Sequence, residues 1–269
     1  MLKPRDLGRN SITRLKPAYT SIAAETPLTM SDEVDLMQTK LRIKEAESDE
    51  KRLLHLDLGH GAGEREEAAK LVSRVFLQDP AKRPCMVTFT TIEGGGGAGR
   101  ICAAIACLLA EAVPGEICVL NANFEGSSYS SSVWAQERKG LREVLQQDLP
   151  IRQYALQLEP KNLWLFPGGP HDRDLDQVLH SEKSRARLLE FRSEFQHVLI
   201  SAPAVTHNPA VTTLGQLSDG LVLVIEAHST RREVARKVKE GLDLANVKLL
   251  GAVLNNRRFP IPSVLYNRL

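Results

Sequence analysis

No apolar run in this 269-residue chain approaches the roughly 18 to 20 residues that a membrane-spanning helix needs. The longest, Ile101 to Val113, is broken by Glu111. The N-terminal stretch also lacks a signal-peptide-like apolar core, so the chain is expected in the cytoplasm, reaching the inner membrane face only through a partner. Cysteine is scarce and unpatterned. Cys85, Cys102, Cys107 and Cys118 show no CxxC spacing and no nearby histidine set, and all lie in apolar segments. They read as free buried thiols in a reducing compartment, not as a metal site. An excess of either charge is missing too: 35 basic and 33 acidic residues are interspersed and leave a formal charge of +2, which gives no nucleic-acid footprint. The cluster Arg257, Arg258 and Arg268 reads as a solvated chain end. Residues 1–60 have little to build a core with: one aromatic, Tyr19, scattered apolar positions, and Pro4, Pro17 and Pro27. They are expected to form a partly disordered extension with one possible helix, from Ser31 through Leu36, Met37, Leu41 and Ile43 to Glu47.

What is present fits one α/β domain over residues 61–269. After a break at Gly59 to Gly63, the residues Ala68, Leu71, Val72, Val75 and Phe76 predict a helix from Glu64 to Gln78. Short apolar runs then alternate with helical stretches. Strands are predicted at Cys85 to Thr90, Glu116 to Asn121, Leu163 to Phe166, His197 to Ser201, Leu221 to Glu226 and Lys248 to Leu254. Helices are predicted at Arg100 to Ala112, Lys139 to Gln147, Glu182 to Glu194, Pro209 to Leu217 and Thr230 to Ala245. A continuously apolar run such as Gly220 to Ile225 suits a parallel strand covered on both faces. The fold class is therefore a doubly wound, mostly parallel sheet with helices on both faces. In such sheets ligands bind beyond the carboxyl ends of the strands.

The first strand is followed by Gly94, Gly95, Gly96, Gly97, Ala98, Gly99, Arg100 and Ile101, which has the frame of a phosphate-binding loop. A working P-loop of form G-x-x-x-x-G-K-[ST] also needs a lysine for the β/γ-phosphates and a hydroxyl for Mg²⁺. Here those positions hold Arg100 and Ile101. Arginine keeps the charge in a different shape, and an aliphatic side chain cannot ligate a metal. The second strand ends in Asn121, Ala122 and Asn123, and the strand from His197 ends in Ser201. Phosphoryl transfer wants carboxylates at both places, to hold metal and to act on the attacking oxygen.

The order of these motifs resembles the bacterial tyrosine kinases of capsule and exopolysaccharide synthesis, relatives of the MinD/ParA-type deviant P-loop ATPases, over about residues 64–269. The deviant loop KGGxGK[ST] matches Gly95 to Ile101. The hhhhDxD motif matches Ile117 to Asn123, and hhhDTPP matches Val198 to Ala204. Landmarks without catalytic roles match as well: Gly140 to Leu145 with GLxxVL, Asn162 to Pro170 with NLxxLPAGP, Asp219 to Val224 with DGVLLV, Thr230 to Arg232 with TRR, and Leu250 to Asn255 with LGVVLN. The resemblance implies nucleotide contacts at Gly94 through Ile101 and at Asn255, whose counterpart contacts the base in relatives. It assigns no catalytic residue and no metal ligand here, since Asn121, Asn123 and Ser201 stand where aspartates are expected. ATP or ADP is the cofactor implied, bound without Mg²⁺ if at all. The expectation is a non-catalytic scaffold or regulator of polysaccharide synthesis or export. Its partner would be a membrane-anchored chain-length regulator or an active relative, with a homo-oligomer also possible. Alternatives are an ATPase or kinase with altered metal use, and a MinD/ParA-type positioning protein of pilus or septum.

Several residues invite a functional reading without earning one. The tail has a single tyrosine, Tyr266, in place of a phosphorylated cluster, and Glu67, Lys70 and Arg74 depart from the family's ExxRxxR oligomerisation helix. His171, Asp172, Asp174 and Asp176 read as a polar loop at a helix start, His55, Asp57 and His60 as a linker, and Trp134 and Trp164 as core or interface residues.

Overall fold

A strand that is apolar at every position must be covered on both faces, and this requirement organises the molecule. The computed structural model describes residues 62–77, 84–94, 97–124, 139–169 and 175–256. In it β1 (Met86–Thr91), β2 (Ile117–Asn121) and β5 (His197–Ser201) are buried along their whole length, and β6 (Gly220–Glu226) over its first five residues. With β3 (Leu156–Leu158), β4 (Leu163–Phe166) and β7 (Leu249–Asn255) they form one sheet in the order β3-β4-β2-β5-β1-β6-β7. All neighbours are parallel except β3, which runs antiparallel to β4.

Side chains alternate across a strand, so each strand feeds two cores. Val87, Phe89, Val119, Leu199 and Val222 point into the first, which is closed by α1 (Ala62–Val72), a wider π turn (Ser73–Leu77) and α2 (Gly97–Ala112). Met86, Leu120, Val198, Ile200 and Leu223 point into the second. It is closed by α3 (Leu141–Gln146), α4 (Leu175–Leu179), α5 (Glu182–Glu194), α6 (Ala210–Leu217) and α7 (Arg232–Leu244). Helices thus lie on both faces, as the alternation of strand and helix predicted. α2 is apolar nearly all round because it is sandwiched between the sheet and α1. In α7, by contrast, Val234, Ala235, Val238 and Leu242 pack inward while the charged residues face away. No helix among the described residues is long and apolar enough to cross a membrane.

The structure differs from the sequence expectations at identifiable places. α2 begins at Gly97, three residues before the predicted start, because small residues without side-chain demands fit the first helical turn. The helix predicted to reach Gln78 gives way after Val72 to the π turn, which places Phe76 in the core, edge-on to His197 at 5.4 Å; Gln78 itself lies outside the described residues. β3 was not predicted: three residues, half-exposed, carry no periodicity. Of the four thiols, Cys102, Cys107 and Cys118 are buried, and burial pushes the Cys102 and Cys118 thiols up. Cys85 is only half-buried, because it precedes β1 at the open amino-terminal edge of the sheet. The extension over residues 1–60, the segment Ser127 to Ser132, Trp134, His171 to Asp174, and the tail with Tyr266 and its arginines lie outside the described residues.

Two polar clasps fix the amino-terminal edge. The Asp219 carboxylate accepts the backbone N–H groups of Cys85 and Met86 at 2.7 and 2.8 Å and the Arg192 guanidinium at 2.8 Å, while Asp219 N–H donates to Met86 carbonyl. β1 is thereby pinned to the start of β6. Arg152 grips Glu116 with two nitrogens and Glu194 with a third, and lies over the rings of Trp164 and Phe195 at 5.0 and 4.8 Å. Trp164 donates to the same Glu116 carboxylate, so it is a structural residue, as expected. The Arg152 bonds hold the Glu116 carboxyl below the usual range.

Burial alone would raise the Asp219 carboxyl, but the Met86 N–H, the Arg192 guanidinium and the Cys85 N–H outweigh it and leave the group below its ordinary value. A carboxyl lowered on folding stabilises the native state above its unfolded value, near 3.9, and that contribution fades as pH falls through the lower folded value. Replacing Asp219 with Asn should therefore cost about 1–3 kcal/mol at neutral pH. In denaturant titrations the gap between wild type and Asp219→Asn should narrow below about pH 4.

Candidate functional site

The parallel register brings three distant segments to one edge. Phe89 of β1 pairs with Ser201 of β5, and Ser201 pairs with Asn121 of β2, so the ends of these strands stand side by side. The chain must switch sides of β1 between β5 and β6, which is where doubly wound sheets open a crevice. Each strand-end residue of interest therefore lies at this rim.

Gly97, Ala98, Gly99 and Arg100 form the first turn of α2, whose backbone N–H groups have no intrahelical acceptor. A 16-residue helix presents such donors with a partial positive charge. Arg100 is exposed, whereas Ile101, at the position of the metal-binding hydroxyl, is half-buried and packs into the core under α2. Gly94 lies at the exposed start of the loop against the His207 ring; Gly95 and Gly96 lie outside the described residues.

Asn121 is 5% exposed and its Oδ1 accepts the N–H of Asn123 at 3.1 Å, closing a local turn; Asn123 is half-buried. Ser201 is equally buried, and its carbonyl accepts the N–H of Ala122 at 2.9 Å. The segment after β5 is sewn to the end of β1: Val205 N–H donates to Thr91 carbonyl, Thr206 to Ile92 carbonyl, and the Thr90 hydroxyl to Pro203 carbonyl. Asn208, buried, accepts the Ala210 N–H and so begins α6.

A divalent cation would find few ligands along this rim. Asn121, Asn123 and Ser201 are neutral at the strand ends, Ile101 has no donor atom, and no group of three His, Cys, Asp or Glu side chains gathers among the described residues. The donor set does not fit Mg²⁺ as phosphoryl-transfer enzymes hold it. Asp176, the one residue of the segment His171, Asp172, Asp174 and Asp176 that lies among the described residues, stands in the first turn of α4, where an acidic side chain suits the helix dipole.

Three rim residues escaped the sequence reading. Glu226 ends β6, and its two oxygens accept the side-chain amides of Asn255 and Asn256 at 2.8 and 2.7 Å. His207 rests against Gly94. No local sequence pattern marks Glu226, because its partners come from two other segments.

The rim on the β4 side is set by backbone contact. Leu141 N–H donates to Pro167 carbonyl at 2.7 Å, Gly140 N–H donates to the Glu143 carboxylate at 2.6 Å, and a Cβ on Gly140 would stand 2.0 Å from the Pro167 carbonyl oxygen. Nearby, the buried Arg142 guanidinium lies 4.8 Å over the Phe124 ring. Gly140→Ala must push backbone from backbone and should destabilise the fold by about 1–3 kcal/mol, read as a lowered denaturant midpoint.

No protein-family model matches the chain. It is 25% identical over 172 residues to the tyrosine-protein kinase YwqD of Bacillus subtilis, a match that covers 64% of this chain and 72% of that one. It is 22% identical over 183 residues to the tyrosine-protein kinase CpsD of Streptococcus agalactiae, covering 68% and 80%. Among solved structures, the chimerical protein CapA2B2 is similar with a TM-score of 0.65 at 19% identity, over 72% of this chain and 85% of that one. The kinase domain of the Escherichia coli tyrosine kinase ETK gives 0.62 at 14% identity, over 72% and 78%. At such identities the structures speak for the fold, which is P-loop NTPase-like, and the sequence matches are a similarity to the two tyrosine kinases.

Proposed function

We propose that the chain is a non-catalytic relative of the tyrosine kinases that works as a scaffold or regulator in capsule or exopolysaccharide synthesis or export. It would act at the inner membrane face by binding a membrane-anchored chain-length regulator or an active kinase of its own kind. The observation that carries this reading is the set of side chains at the rim: Ile101 packed into the core, and Asn121, Asn123 and Ser201 neutral where metal and base chemistry need charge. Phosphoryl transfer depends almost wholly on positioning and electrostatic stabilisation. One cationic or metal-holding group contributes about 10² to 10⁵ in rate, so replacing several together leaves negligible turnover even with non-additive losses.

What the rim retains is suited to holding an anion without turning it over. ATP or ADP would sit with its phosphates at Gly94 through Ile101 and Arg100, and its base near Asn255, with no metal between. Incubating the purified chain with Mg²⁺ and labelled ATP should give neither phosphate release nor phosphotyrosine above a no-protein control. Turnover or self-phosphorylation at the rate of an active kinase run alongside would overturn the proposal.

A further inference from the structure

The end of β6 carries a carboxylate for which the proposed function has no use. Glu226 Oε1 accepts Asn255 Nδ2 at 2.8 Å, and Glu226 Oε2 accepts Asn256 Nδ2 at 2.7 Å. Asn256 adopts a left-handed conformation, φ 55°, which asparagine tolerates and which lets the next residue after β7 turn its amide back to the same carboxylate. The clasp reaches across to α2. A Cβ on Gly97 would stand 2.5 Å from Glu226 Oε1 and 2.7 Å from Asn255 Nδ2, so the carboxylate rests directly on the first residue of that helix.

A helix start stabilises whichever anion lies beside it, and here the chain supplies one of its own. A nucleotide arriving at the same place would meet a fixed negative charge beside the donors its phosphates require. It would also find the Asn255 amide already donating to Glu226. We propose that Glu226 is a self-occluding residue that holds Asn255 and the start of α2 in a nucleotide-excluding arrangement. This rests on the assignment of Gly94 through Ile101 and Asn255 to nucleotide in the proposed function. It specifies that site further: the wild-type chain binds nucleotide weakly because of one side chain, not because the glycine-rich turn is unfit.

The test uses the full chain and the fluorescent nucleotide mant-ADP, titrated without metal into wild type, Glu226→Gln and Glu226→Ala. Glutamine removes the charge at nearly constant size, and alanine removes the hydrogen bonds as well. Both variants should bind about tenfold or more tightly than wild type, with thermal unfolding still cooperative. If one variant fails to fold, the other decides. A folded variant that binds no more tightly than wild type overturns the proposal and leaves the non-catalytic reading standing; phosphoryl transfer by the wild type would overturn that reading without touching this result.

Discussion

The functional rim depends on β1 being held in register between β5 and β6. Met86 to Phe89 align with Val198 to Ser201 on one side, and Val87 to Thr91 with Gly220 to Val224 on the other. Asp219 sets that alignment from the far edge, gripping the amides of Cys85 and Met86 while Arg192 holds its other oxygen. A slip of one residue would turn Val87 and Phe89 out of one core and Met86 out of the other. It would also separate the end of β1 from Ser201 and Asn121. The two strand ends and the start of α2 therefore keep their mutual placement through contacts at the opposite edge of the sheet.

The framework and the rim draw on different residues. The framework is apolar burial on both faces of the sheet plus a few polar clasps at its amino-terminal edge, and none of these uses a rim side chain. The rim side chains have found structural employment instead. Ile101 packs from α2 against the core, and Asn121 closes a turn onto Asn123.

Much of this was legible in the sequence, and the reasons differ by element. β5 and β6 announced themselves because double-sided burial demands unbroken apolar runs, and α5 stands at the predicted Glu182–Glu194. The neutral residues Asn121 and Ser201 could be named from their positions at strand ends. Their adjacency could not, because they lie 80 positions apart in the chain and only a strand order that inserts β5 between β1 and β2 brings them together. β3 was illegible for the opposite reason, being a three-residue edge strand that is only half covered. Glu226 was missed because its meaning lies in Asn255, Asn256 and Gly97, residues from two other segments that no local pattern links to it.

The central claim is that the rim has kept an anion-binding helix start and lost the means to use a metal. Calorimetric titration of the full chain with ADP and with ATP, once with saturating Mg²⁺ and once with EDTA, tests it most directly. The account predicts weak binding of the same affinity in both conditions. Nucleotide affinity that rises about tenfold or more when Mg²⁺ is present would contradict it.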